Sequence, residues 1–279
     1  LLNSHPQRKM KVTDDPLLPN LHSSTTTTIT GFSSFLNLLV GFSAISGFLF
    51  GYDTGIVSGA LVLVADDFQL TSFEHEVVVS STILTAIVGA AVAVPLNRRF
   101  GRRPAIIVAS VTFCAGSILL GLAPSLWVLI CGRLVVGIGI GIGSMVVPMY
   151  ISEISPPEQR GTLVTINNVF CPGGQFVAAC VSAALAESPN GWRWMFGLGA
   201  VPALIQLVGF MFMPESPRWL LKSGRKEEAL QALLLIRGVE KDNGEEESRS
   251  SVCKELQGYG VGEGEDGSDG DGDCGNSSG

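Results

Sequence analysis

Six apolar stretches, each of about 20 residues or more and so able to cross the hydrocarbon core of a bilayer, dominate this sequence. They cover residues 35–64, 76–96, 105–123, 126–150, 162–186 and 194–213. Hydrophobic residues make up 46% of the chain and charged residues only 15%, so a water-soluble fold would have too little polar surface. A polar segment of about 30 residues precedes the first stretch, which is not typical of a cleaved signal peptide. The sequence therefore predicts an all-α membrane protein with a six-helix bundle over residues 32–213.

Lysine and arginine residues mark one side of this predicted bundle. Twelve lie in alternate connecting segments: Arg8, Lys9, Lys11, Arg98, Arg99, Arg102, Arg103, Arg160, Arg218, Lys222, Arg225 and Lys226. The other connecting segments contain a single lysine or arginine, Arg193. Because cations accumulate on the cytoplasmic side, both termini are predicted to be cytoplasmic, and the plasma membrane is the expected location. The net charge of −7 arises largely from the C-terminal tail and does not indicate a nucleic-acid partner.

Two opposite charges interrupt the apolar stretches. Asp53 lies in the first and Arg133 in the fourth. A charge at the membrane centre costs about 2.5–3.5 kcal/mol on insertion scales, so such residues usually serve a transport pathway, a proton relay or each other. The two residues are therefore predicted to form one site. A purely structural buried ion pair is the alternative.

Glycines recur at helical spacing in two of the stretches. Gly47, Gly51, Gly55 and Gly59 form overlapping GxxxG steps, which predict close helix packing on the side of the first helix opposite Asp53. The fourth stretch contains Gly137, Gly139, Gly141 and Gly143. These do not indicate a dinucleotide site, because that motif requires a strand, a turn and a helix in a soluble unit.

The fifth stretch is polar and rich in helix breakers: Asn167, Asn168, Pro172, Gly173, Gly174 and Gln175. This composition predicts an irregular backbone next to a cavity. Asn168 and Gln175 are seven residues apart and share a helix face. With Asp53 and Arg133 they are expected to line the interior of the bundle, where their amides are candidate contacts for an uncharged, polyhydroxylated ligand. Interhelical hydrogen bonds are the alternative role for each amide.

The remaining segments lie outside the predicted bundle. Residues 1–31 are expected to be a disordered cytoplasmic arm, residues 214–238 to begin cytoplasmic linker helices, and the acidic Gly/Asp/Ser-rich residues 239–279 to be disordered. Residues 269–273 resemble the start of a calcium loop, but Cys274 stands where glycine is needed. The cysteines have no CxxC spacing, and we expect reduced thiols, no metal, no cofactor and no enzymatic activity.

Four motifs lie in order at the predicted membrane boundaries. They are Phe50-Gly51-Tyr52-Asp53-Thr54-Gly55, Arg98-Arg99-Phe100-Gly101-Arg102-Arg103, Tyr150-Ile151-Ser152-Glu153 through Arg160-Gly161, and Pro214-Glu215-Ser216-Pro217-Arg218-Trp219-Leu220. Together they resemble the sugar porter family of the major facilitator superfamily over residues 32–238. The segments 163–167 and 173–176 are most similar to the proton/myo-inositol cotransporters of that family.

The resemblance implies alternating access between two six-helix halves around a midplane site. It implies that Asp53 carries the coupling proton with Arg133 as its partner, and that Phe50 and Gln175 contact the substrate. It also implies a cytoplasmic charge network of Arg102, Arg103, Glu153, Arg160, Glu215 and Arg218. For these loop charges, a role in membrane topology alone is the alternative.

The chain departs from the family pattern at Arg98, where an acid is usual, and at Val94, where glycine is usual, so a weaker network is expected. It begins with leucine, so its true start is expected to be missing, and it is expected to be the N-terminal half of a fold whose partner is a C-terminal six-helix half. The predicted function is proton-coupled symport of myo-inositol or a related sugar or polyol. A membrane sugar sensor or regulatory partner that does not transport, or an inactive truncated fragment, is the alternative.

Overall fold

Nine helices form the part of the chain that the computed structural model describes, residues 34–157 and 159–237. They are α1 (Ser34–Phe68), α2 (Ser72–Phe100), α3 (Arg102–Gly121), α4 (Leu126–Ile154), α5 (Arg160–Leu185), α6 (Gly191–Gly197), α7 (Ala200–Phe212), α8 (Pro217–Lys222) and α9 (Lys226–Arg237). Helices α1 to α5 each have the length and composition of a membrane span, and α6 and α7 together form the sixth, Gly191–Phe212. The predicted all-α, six-span fold is confirmed.

Helix α1 packs along α5 through Gly47, Gly51, Gly55 and Gly59, which we call the glycine stripe. A Cβ atom added at Gly47 or Gly51 would strike the backbone of Asn167 or Cys171 in α5, and one added at Gly55 would lie 2.9 Å from Ala178 Cβ. The absence of side chains at these positions lets the two helix backbones approach closely. The packing predicted from the GxxxG spacing is therefore present, with α5 as the partner.

Helix α4 lies between α2 and α3 and is the most buried span. Its glycines serve different neighbours in alternation. A Cβ at Gly137 or Gly141 would strike α2, whereas one at Gly139 would lie 2.9 Å from the carbonyl oxygen of Ala109 in α3. This spacing of two places successive glycines on opposite sides of α4, so one helix packs closely against two partners.

The prediction of an irregular backbone in the fifth span is wrong. The structure has an irregularity in the sixth span instead. Helix α5 is continuous through Pro172. The sixth span is interrupted at Leu198 and Gly199, where Gly199 and Val201 donate backbone hydrogen bonds three residues back rather than four. The close packing of α1 against Cys171 supports the α5 backbone beside the proline. Rules that predict helix breaks from Pro and Gly in a single sequence do not include such support from a neighbouring helix.

Two short helices follow the sixth span, within the segment predicted to begin linker helices. Ser216 caps α8 by accepting a hydrogen bond from the backbone N–H of Trp219, and Pro217 occupies the first helical position, which is the usual start signal of a helix. Helix α9 packs on α8. The predicted arm 1–31, the tail 239–279 and the calcium-like residues 269–273 lie outside the described residues.

Candidate functional site

The two charges within the membrane spans contact each other. Arg133 Nη1 donates a hydrogen bond to Asp53 Oδ1 at 2.6 Å, and the two side chains are only 3% and 5% exposed. Asp53 extends from the side of α1 opposite the glycine stripe and meets Arg133 on α4. Two charges removed from water stabilise each other mainly through this contact, and removing either would leave the other unpaired.

Aromatic residues surround this ion pair on the side of α6. The Cζ atom of Arg133 lies 5.8 Å from the ring centroid of Phe196, a cation–π distance. The hydroxyl of Tyr52 donates to the carbonyl oxygen of Met195 at 2.8 Å, which ties α1 to α6 beside Asp53. Arg133 Nε has no hydrogen-bond partner in the part of the chain described. The guanidinium therefore has capacity for a second contact when the carboxylate changes charge.

A second group of side chains lies on the exposed side of α1 and α5, which we call the open face: Phe50, Thr54, Asn168 and Gln175. Gln175 Nε2 donates to Thr54 Oγ1 at 3.3 Å, while the Thr54 hydroxyl donates to the carbonyl oxygen of Gly51. The Phe50 side chain is 42% exposed. The open face thus presents amides, a hydroxyl and an aromatic ring, which suit contacts to a neutral hydroxylated molecule.

The expectation that Asn168 and Gln175 line the interior of the bundle needs correction. Both side chains are exposed on the surface of the six-helix unit, and Asn167 is the buried amide of α5. The reason is that α5 packs mainly against α1, with smaller contacts to α4 and α6, so the face that carries Asn168 and Gln175 is left exposed among the described residues.

A polar cluster connects the end of α4 with the start of α3 and the segment before α8. The Arg102 guanidinium donates to both carboxylate oxygens of Glu153, at 2.8 and 2.6 Å. Ser216 Oγ donates to Glu153 at 2.6 Å. Glu215 accepts backbone hydrogen bonds from Arg102 and Ser216, at 2.9 and 2.8 Å. We call these four residues the charged cluster.

Two features fix Glu215 in the charged cluster. Gly101 has a φ of +100°, and a Cβ there would strike the Glu215 carboxylate, so glycine is required both by conformation and by space. Burial raises the pKa of the Glu215 carboxyl above its ordinary value of 4.5, although backbone amides of Ser216, Arg103 and Arg102 oppose that rise. The carboxylate therefore loses its contacts with water on burial and gains hydrogen bonds from these backbone amides.

Not every residue of the predicted charge network joins this cluster. The side chain of Arg103 donates to the backbone carbonyls of Phe210 and Met211 at the end of α7 rather than to an acid. Arg160 and Arg218 form no hydrogen bond or ion pair with the cluster within residues 34–157 and 159–237. Arg160 begins α5, and Arg218 lies exposed at the start of α8.

The sequence analysis assigned no role to four residues in or beside these sites: Tyr52, Thr54, Phe196 and Ser216. Small polar and aromatic residues are common in membrane spans and form no distinctive pattern there. For Ser216, one available signal was its position just before Pro217, which is typical of a helix N-cap. Its second bond, to Glu153, depends on tertiary packing.

A model of the "Sugar (and other) transporter" family matches residues 39–257. The chain belongs to this family. It is 52% identical over 206 residues to the "Proton myo-inositol cotransporter" of Homo sapiens, covering 74% of this chain and 32% of that protein. It is 44% identical to the "Probable inositol transporter 2" of Arabidopsis thaliana, covering 73% and 36%.

Solved structures give the same family and fold. The E. coli proton:xylose symporter XylE, of the major facilitator superfamily, superposes with a TM-score of 0.73 at 28% identity, covering 82% of this chain and 53% of that one. The predicted resemblance to sugar porters is confirmed. The chain spans about a third of the length of these two curated relatives and about half of the XylE chain.

Proposed function

We propose that this chain forms the N-terminal six-helix half of a proton-coupled symporter for myo-inositol or a related polyol. The observation that carries the proposal is the buried contact between Asp53 and Arg133, in a member of a transporter family whose relatives include proteins named for proton cotransport. The chain would lie in the plasma membrane with both termini and the charged cluster on the cytoplasmic side, as the distribution of cations supports.

In this proposal Asp53 carries the proton. While Asp53 is ionised, it neutralises Arg133 and holds α1 to α4. When Asp53 takes up a proton from the outside, the pair loses its attraction, and Arg133 keeps only its aromatic neighbour Phe196. The weakened contact between α1 and α4 lets the bundle change its orientation toward the second half. The release of the proton inside restores the ion pair.

The open face would bind the substrate. Phe50 provides an apolar surface for the ring of a polyol, while Gln175 and Asn168 donate to and accept from its hydroxyl groups. The charged cluster would close the cytoplasmic end in one conformation and open in the other. A C-terminal six-helix half would complete both the binding site and the cycle.

The test is a chimera in which the 206-residue matching segment of the human cotransporter is replaced by that of this chain. We expect the chimera to accumulate myo-inositol when the outside is acidified. Asp53→Asn should abolish this accumulation yet leave exchange of labelled inositol, because the amide oxygen still accepts from Arg133 but binds no proton. Asp66→Asn, at an exposed position of the same helix, should behave like the parent. Acid-driven accumulation by Asp53→Asn would refute the proposed role.

A further inference from the structure

A small cavity, lined mainly by apolar side chains but with polar groups at three positions, extends into the bundle from Phe50 of the open face. It has a volume of about 20 Å³ and lies between α1, α3, α4 and α7. Its lining includes Ser46, Phe50, Gly143, Ser144 and Gln206. Phe50 and Ser144 are exposed while Gln206 is buried, so the cavity leads from the candidate substrate site toward α7. A single water molecule needs about 10–15 Å³, so the cavity has room for one.

Gln206 brings an unpaired donor to this cavity. Its side chain is among the most buried polar groups of the described chain, at 2% exposure. Ser110 Oγ lies 2.9 Å from the Ile106 carbonyl oxygen and 3.2 Å from Gln206 Oε1, so its one proton can be donated to only one of them, and Nε2 has no partner there. A buried amide N–H without an acceptor costs free energy, so the site favours a molecule that can accept from Nε2.

Two serines supply the complementary atoms. A Cβ at position 143 would lie 2.9 Å from Ser46 Oγ, so the hydroxyl of Ser46 points toward α4 across the space that Gly143 leaves. Ser144 Oγ donates to the carbonyl oxygen of Gly141 at 3.1 Å, which leaves its lone pairs available. The cavity therefore combines one unpaired donor with hydroxyl acceptors, which is the set of partners that a buried water requires.

We propose that this cavity holds one ordered water, which accepts from Gln206 Nε2 and donates to Ser46 and Ser144. The second lone pair of the water is then directed to the side of Phe50, where it accepts a hydrogen bond from a hydroxyl group of the transported molecule. Gln206 becomes a positioning residue that acts on the substrate through the water. The water site stands on the cavity alone, while its contact with a polyol rests on the proposed function.

The water site is tested on the purified chain by thermal unfolding of Ser46→Ala, Gln206→Met and the double variant. If both residues hold one water, the double variant unfolds at about the temperature of the less stable single variant. The matched control is Ser43→Ala, a buried serine of the same helix that donates only to the carbonyl of Leu39. Its effect should add to that of Gln206→Met. Additive shifts for Ser46 and Gln206 would overturn the proposal.

Should Gln206→Met fail to fold, the pair Ser46→Ala and Ser144→Ala is measured in the same way, with the same expected outcomes. In the chimera, Gln206→Met should raise the KM for myo-inositol about three- to tenfold with kcat preserved, because one water-mediated hydrogen bond is lost. An unchanged KM would overturn the substrate contact. A parent chimera that does not transport would refute the proposed function, and the unfolding cycle would still decide the water site.

Discussion

At the scale of single residues, the ion pair of Asp53 and Arg133 balances desolvation against attraction. We expect Arg133→Leu to destabilise the bundle by about 3–5 kcal/mol, because it leaves an unpaired carboxylate in an apolar environment. Adding Asp53→Asn to Arg133→Leu should recover most of this loss, since the remaining group is neutral. Detergent-induced unfolding of the purified chain measures both values. A double variant as unstable as Arg133→Leu alone would show that the cost comes from packing and not from charge.

Glu215 gives a pH dependence with a defined sign. Its pKa in the folded chain is raised above the ordinary value of 4.5, mainly by burial. The folded state therefore binds more protons than the unfolded state between 4.5 and the raised pKa, and stability falls as the pH rises through this window. We expect the unfolding temperature to decrease across it and Glu215→Gln to remove that component. Thermal unfolding at a series of pH values provides the measurement, and an unchanged slope in the variant would contradict it.

The ion pair could be predicted from sequence because a charge at membrane depth requires a compensating group, and Asp53 and Arg133 are the only acid and base that lie well inside the apolar stretches. The contacts of Ser216, Phe196 and Gln206 could not. Each depends on which side chain a neighbouring helix brings into contact. The chain has many serines and aromatic residues, and nothing in the sequence distinguishes those that form such contacts. The wider charge network stays a prediction. Among the described residues, Arg102, Glu153 and Glu215 are joined by hydrogen bonds, whereas Arg160 and Arg218 form none with Glu153, and sequence alone does not separate the two groups.

At the scale of helices, the glycine stripe decides how close α1 and α5 approach. We expect Gly51→Ala to destabilise the bundle by about 1–3 kcal/mol, because the added Cβ would overlap the carbonyl of Cys171. Gly41→Ala is the matched control on the same helix, since a Cβ there has no neighbour within 4 Å. Unfolding of both variants in detergent measures the difference. Equal stabilities would mean that α5 shifts without cost.

The spans and the glycine packing followed from sequence because length and spacing are local properties. The continuity of α5 did not, because proline and glycine signal a break only when no neighbour supports the backbone. Here α1 covers α5 through the glycines of the stripe. The break at Leu198 and Gly199 carries only a weak signal in the sequence, two glycines separated by one residue. Local chemistry therefore predicts where helices lie better than where they bend.

At the scale of the whole molecule, the most polar membrane span is also the one that the other helices cover least. The fifth span is the least apolar of the six and also the least buried. A helix that faces lipid should be the most apolar, because unpaired amides in hydrocarbon are costly. The exposed amides of Asn168 and Gln175 therefore fit a surface that faces water and a second half rather than lipid. The second span is exposed too, but it is the most apolar.

Exposed positions of the fifth and sixth spans should differ in their access to water in the proposed two-half transporter. In a cysteine-free chimera, Asn168→Cys should react with a membrane-impermeant thiol reagent, and myo-inositol should slow the reaction, because the residue lines the proposed binding site. Val201→Cys, exposed on the sixth span among apolar neighbours, should remain unlabelled, since lipid excludes the charged reagent. The rate of labelling in membrane vesicles gives the measurement. If Asn168→Cys is as inert as Val201→Cys, then α5 faces lipid or is buried by the second half, and the open face is not the substrate pathway.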